Sequence, residues 1–144
     1  INDRHLTLRT SVIGPELKPD GEELFHWFMN QRGEINGFTK AIWSGVTTLI
    51  LARVVNWAIE NEITGLYHVT NNESIDKFTL LGLIKKYTNK NTIIHPSDQK
   101  IINKSFKDNR QELNFTIPSF DEMIKEMIIM IKNKKNNYSQ YDLF

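Results

Sequence analysis

The chain has 144 residues, 40% hydrophobic and 24% charged, with a formal charge of +1, the make-up of one globular domain. It has no cysteine, which excludes disulfide frameworks, thiol nucleophiles and Cys-type zinc sites and fits a cytoplasmic setting. A charge so near zero gives no electrostatic case for nucleic acid or a membrane surface as partner. The longest apolar runs, 46–55 and 127–131, fall short of the ~20 residues of a membrane span. No basic-then-apolar leader opens the chain. The first residue is Ile1 rather than Met, so a cut or processed piece of a longer protein is expected.

Residues 6–13 alternate, with Leu6, Leu8, Thr10 and Val12 on one side, and predict a strand that Gly14-Pro15 stops. Residues 18–21 read as a loop. Residues 22–31 predict a helix with Leu24, Phe25, Trp27 and Phe28 on one face. Glu22 and Glu23 then fall in its first turn, where carboxylates suit the dipole. Gly33 and Gly37 bracket an extended piece at 34–38, and 41–43 reads as another. The clearest helix is 47–60, with Ile50, Val54, Trp57 and Ala58 at helical spacing. A strand at 65–69, a turn at 71–74, a helix at 76–87 and a strand at 91–94 follow. A short helix is expected at 107–113. Ser119 and Glu122 form the Ser-x-x-Glu capping pattern ahead of a helix striped by Phe120, Met123, Ile124, Met127 and Ile131. Residues 136–144 read as a frayed tail. The order is mixed α/β and helix-dominant, with no internal repeat.

The residue types alone point to no self-contained active site. His5, His26, His68 and His95 show no i, i+4 metal pair and read as packed or surface imidazoles. Glu22/Glu23 and Asp121/Glu122 stand at helix starts, where capping explains them. Neither Gly-x-Gly-x-x-Gly nor Gly-x-x-x-x-Gly-Lys occurs. The lysines at 132, 134 and 135 follow a helix end with little aromatic interleaving and read as solvated. No catalytic residue and no metal site is assigned.

Five collinear segments carry a resemblance. Leu6-Thr-Leu-Arg-Thr-Ser-Val-Ile-Gly14 resembles the last long Rossmann strand of dTDP-4-dehydrorhamnose reductase-like proteins of the extended short-chain dehydrogenase/reductase family. Gly37-Phe-Thr-Lys-Ala-Ile-Trp-Ser-Gly-Val-Thr-Thr-Leu-Ile-Leu-Ala-Arg53 is similar to the stretch that shapes the sugar pocket and enters a helix. Thr64-Gly-Leu-Tyr-His-Val-Thr70 resembles the Gly-x-Tyr-His-x-Thr/Ser strand. Asn103-Lys-Ser-Phe-Lys-Asp-Asn-Arg110 and Ser119-Phe-Asp-Glu-Met123 resemble the segment before the final helix and its start. The likeness runs over about residues 6–130, and the Arg-Thr-Ser-x-Ile-Gly run is associated with nucleotide-sugar reductases of surface-polysaccharide synthesis.

The resemblance implies the C-terminal, substrate-binding portion of an extended Rossmann-type reductase. Residues 1–15 would be the last strand of the Rossmann sheet, 16–135 the substrate subdomain and 136–144 the tail. The implied cofactor is NAD(P)H in the full-length parent, with none on this piece. The implied partner is a nucleotide sugar; a homodimer stays open. Thr10, Ser11, Val12 and Ile13 match the strand end that meets the cofactor. Phe38, Trp43, Ser44, Gly45, Thr47 and Thr48 match the sugar pocket, and Lys104 and Arg110 match groups for the diphosphate. Two departures stand out: Val12 replaces a Trp frequent in the family, and Lys104 stands where Arg is common. The family's Tyr-x-x-x-Lys pair is missing, since Tyr67, Tyr87 and Tyr138 are followed four positions on by Asn71, Asn91 and Asp142. That pair and the Gly-rich turn are expected upstream of Ile1. Without its sheet neighbours, the 6–13 strand is expected to pair with a second copy, be covered by a rearranged segment or be disordered. A non-catalytic nucleotide-binding or regulatory subunit of the same fold, and a stand-alone interaction domain, are the competing readings.

Overall fold

A computed structural model of the chain describes residues 4–108, 114–141 and 143. Its elements run β1 (Leu6–Arg9), β2 (Val12–Ile13), α1 (Leu24–Asn30), β3 (Glu34–Phe38), β4 (Ala41–Trp43), β5 (Val46–Thr47) and α2 (Thr48–Glu60). There follow β6 (Gly65–His68), β7 (Ile75–Asp76), α3 (Lys77–Thr88), β8 (Ile93–Ser97), β9 (Ile102–Lys104) and α4 (Phe120–Asn133), then a 3-10 turn at Lys135–Asn137. The short strands lie in three pairs and one three-stranded sheet and alternate with helices along the chain, the mixed α/β order expected. β1 runs parallel to β6, β2 to β5 and β3 to β8, while β4 lies between parallel β9 and antiparallel β7.

The predicted strand over 6–13 is broken in two. Thr10 leaves the ladder and donates its hydroxyl to the Val69 carbonyl at 2.8 Å, and the chain then changes partner from β6 to β5. β1 is not a lone strand, because β6 pairs with it along its whole length, from Leu6 beside Gly65 to Arg9 beside His68. Its other edge carries no strand among the described residues.

The helices begin where side chains satisfy the first amide N–H groups. Thr47 caps α2 by accepting from Ile50 N–H at 3.3 Å. Asp76 caps α3 by accepting from Thr79 N–H at 2.9 Å. Ser119 and Glu122 close the expected capping box on α4. α1 starts later than the charge pattern predicts. Glu23 is its cap residue, and neither Glu22 nor Glu23 lies in the first turn. The Glu23 N–H is instead taken by the Glu16 carboxylate at 2.7 Å.

α3, α4 and α2 enclose the main core, where Ile50, Val54, Leu80, Ile84, Met127 and Ile131 are all buried. β5, β7 and β9 escape prediction because two or three residues show no period. Lys107 and Asp108 are not helical, and the rest of the predicted 107–113 helix lies outside the described residues. The described residues of the tail are not frayed: Tyr141 is 1% and Leu143 8% exposed, and Tyr138 stacks on Tyr141 at 6.4 Å.

The Ser119 cap is a local determinant of α4, which carries six buried side chains. Ser119→Ala is expected to lower stability by about 1 kcal/mol, read from urea denaturation, with the spectrum of the folded state unchanged.

Candidate functional site

Three short strands and two helix ends surround a cavity of about 360 Å³. β3 contributes Asn36 and Phe38, β4 contributes Ala41, Ile42 and Trp43, and β9 contributes Ile102 and Lys104. α3 supplies Lys77 and Leu81, and α1 supplies Leu24 and Trp27. Lys100, just ahead of β9, completes the lining. The walls are therefore apolar and aromatic, with three ammonium groups among them.

Trp43 is both core and wall. It is 6% exposed, its indole N–H donates to Ser11 Oγ at 2.7 Å, and its ring tilts against Phe120 at 5.8 Å. The Lys77 ammonium lies 5.9 Å from the indole centroid and the Lys100 ammonium 5.8 Å from that of Phe38, a cation–π distance. Lys77 is the first residue of α3, the end at which a positive charge opposes the helix dipole. Burial, then the charges of Lys104 and Lys100, push its pKa below the usual 10.5, with Glu23 opposing. None of these three lysines is in an ion pair among the described residues. An unpaired cluster of this kind favours an anion.

The expected site residues divide. Phe38, Trp43 and Lys104 meet at the cavity. Ser44, Gly45, Thr47 and Thr48 do not line it. Ser44 is fully buried, and its hydroxyl accepts from Phe106 N–H at 2.8 Å and donates to Phe106 O at 3.1 Å. Thr47 is spent on the α2 cap, and Gly45 allows the chain to pass against the Ser11 carbonyl. Thr48 is exposed, its side chain against Gly14. Arg110 lies outside the described residues.

The strand-end set is also partitioned. Thr10 borders a second cavity of about 190 Å³ with Arg9, His68 and Phe106, at the carboxyl ends of parallel β1 and β6. Ser11 faces Trp43, Val12 is 37% exposed and Ile13 is buried. No cluster of metal-ligating side chains occurs among the described residues. Sequence reading missed Trp27, Lys77 and Lys100. Lys77 did carry a signal, being a lysine directly after an Asp N-cap, on the wrong end of the helix dipole.

No family model matches the sequence, and no curated protein matches it. Solved structures do. A dTDP-4-dehydrorhamnose reductase from Bacillus anthracis in complex with NADP superposes with a TM-score of 0.73 and 23% identity, over 88% of this chain and 48% of that one. A dTDP-4-dehydrorhamnose reductase from Clostridium acetobutylicum gives 0.64 and 19%, over 87% and 48%. UDP-glucose 4-epimerase from Thermotoga maritima with UDP-glucose gives 0.61 and 20%, over 88% and 45%. These likenesses establish the fold, and the chain spans about half the length of each structure.

Because the fold lowers the Lys77 pKa, the folded protein binds its proton more weakly than the unfolded chain. That penalty is present at neutral pH and is relieved as pH rises through the depressed value toward 10.5. Lys77→Met is expected to melt at a higher temperature than the parent chain at pH 7. The advantage shrinks as pH is raised toward the ordinary lysine value, as a pH series of thermal melts would show.

Proposed function

We propose that this chain is the substrate side of an NAD(P)-dependent reductase that reduces a keto group on a nucleotide-linked deoxysugar, a cytoplasmic step of surface-polysaccharide synthesis. The observation that carries the reading is the cavity that gathers Phe38 and Trp43 with Lys77, Lys100 and Lys104. A nucleotide sugar has flat and apolar faces at its base and sugar and a concentrated negative charge at its diphosphate. Aromatic walls suit the first, and unpaired ammonium groups suit the second. The likeness to dTDP-4-dehydrorhamnose reductases in fold supports the same reading.

The cofactor would supply the hydride. The strand-end residues fit only its reacting end: the cavity beside Thr10 is about 190 Å³, and the sequence has no Gly-rich dinucleotide turn. A separate dinucleotide-binding portion would supply that turn and the Tyr–Lys pair. The β1 edge that carries no strand among the described residues and the exposed Val55 and Ile59 of α2 offer it an apolar seat. Within this division the chain binds and orients. Lys77, Lys100 and Lys104 hold the diphosphate, and Trp43, fixed by Ser11, sets the sugar against the end of β1.

Calorimetric titration with dTDP and UDP tests the reading. One of the two is expected to bind, and Lys77→Gln or Lys104→Gln to weaken it about tenfold each. The chain by itself is expected not to oxidise NADH or NADPH with any nucleotide keto-sugar. Binding that survives loss of both lysines would sink the assignment. Binding without turnover by the intact parent would favour the regulatory subunit instead.

In that parent, Trp43→Ala is expected to lower turnover about tenfold to a hundredfold with NAD(P)H affinity nearly unchanged. Because Trp43 is also buried, the change should cost about 3–5 kcal/mol of stability. Normal turnover by the folded fraction would leave Trp43 a core residue only.

A further inference from the structure

Gln140 and Tyr141 return to the loop ahead of α1 and grip it. Tyr141 is 1% exposed. Its hydroxyl accepts the Glu16 backbone N–H at 2.9 Å and lies 3.1 Å from His26 Nδ1. Gln140 donates its side-chain amide to the Glu16 carbonyl at 2.6 Å. Glu16 passes the contact on, since its carboxylate accepts the N–H of Glu23, the α1 cap residue, at 2.7 Å. The Tyr141 ring stands edge-on to Phe25 at 5.2 Å and to His26 at 5.6 Å.

We infer that this C-terminal segment is a strap that positions α1, and through it one wall of the cavity, with Tyr141 as the positioning residue. The link to ligand binding rests on the cavity being the ligand site, as proposed above. The strap has hold of Phe25 and His26, and Leu24 and Trp27 from the same turn line the cavity.

Two physical arguments favour a strap over simple core filling. First, α1 has only seven residues, too few to persist without tertiary anchors. Its carboxyl end is held by Lys90, whose ammonium donates to the carbonyls of Met29 and Gln31 at 2.8 Å each, and by the Thr92 hydroxyl, which donates to Gln31 O at 3.3 Å. The anchor at its amino end is Glu16, and the tail is what fixes Glu16. Second, a phenylalanine would fill the space as well as Tyr141 does. The hydroxyl is the part that engages the backbone of one segment and the side chain of another. Its proton has two acceptors in reach, His26 Nδ1 at 3.1 Å and Glu16 O at 3.4 Å. Burial raises the Tyr141 pKa above the ordinary phenol value.

The test is hydrogen exchange on the full chain and its Tyr141→Phe and Gln140→Ala variants, with dTDP and UDP titrations on the same samples. Tyr141→Phe is expected to raise exchange in residues 16–30 about tenfold while α3 and α4 keep their protection. It should also weaken the bound nucleoside diphosphate about threefold. Gln140→Ala, which leaves the buried ring in place, should act in the same direction and less. Unchanged exchange at 16–30 in both variants would overturn the strap, as would an equal rise across α3 and α4. If neither dTDP nor UDP binds the parent chain, the cavity reading fails, and the exchange pattern still decides the strap.

Discussion

Residues 11–14 and 43–48 lie so close together that each segment needs a glycine. A side chain on Gly45 would collide with the Ser11 carbonyl, and one on Gly14 with the side chain of Thr48. This approach lets Val46 N–H reach Ser11 O at 3.0 Å and starts the β2–β5 pair. It also brings the Trp43 indole to Ser11 Oγ and delivers Thr47 to the head of α2. Strand end, cavity wall and the head of α2 are thus built on one junction. A bulky residue at either glycine would separate all three.

Charge is distributed unevenly over this frame. Asp121 binds Lys86 at 2.8 Å and Tyr87 at 2.6 Å, Asp98 pairs with Lys40 at 3.3 Å and Glu126 with Arg53. These pairs are solvated and contribute little each. Lys77, Lys100 and Lys104 form no such pair among the described residues, yet they come from a helix start, a loop and a strand to surround one apolar hollow. Low-dielectric walls strengthen a field that water would otherwise screen. Burial and the neighbouring ammonium groups lower the Lys77 pKa, a cost to folding at neutral pH.

Elements with a long period were legible in the sequence, and contacts across the fold were not. The α4 box reads directly from Ser119 and Glu122, and the α2 stripe from Ile50, Val54 and Ala58, because each is a local pattern. The break at Thr10 depends on the carbonyl of Val69, fifty-nine residues away, and no period announces it. Glu22 and Glu23 looked like first-turn acids, but the Glu16 carboxylate had taken the place of a cap. The tail's polar, Asn-rich text concealed Tyr141, whose partner Glu16 is 125 residues distant. Within the site, the aromatic members Phe38 and Trp43 were legible from the motif order. Lys77 and Lys100 join them only through the β4–β9 and β4–β7 pairings.

The two aromatic walls differ in how they are held. Trp43 sits in a strand flanked on both sides, 6% exposed and hydrogen-bonded through the only polar atom of its side chain. Trp27 sits on a seven-residue helix and is 40% exposed. Rigid placement costs little entropy when a ligand arrives, so the Trp43 side is suited to fixing orientation next to the strand end that Ser11 shares. A wall carried by a short, separately anchored helix can follow the ligand's bulk instead. Burial and pocket lining are therefore not alternatives for Trp43: the packing that makes it a core residue is what holds it still as a wall.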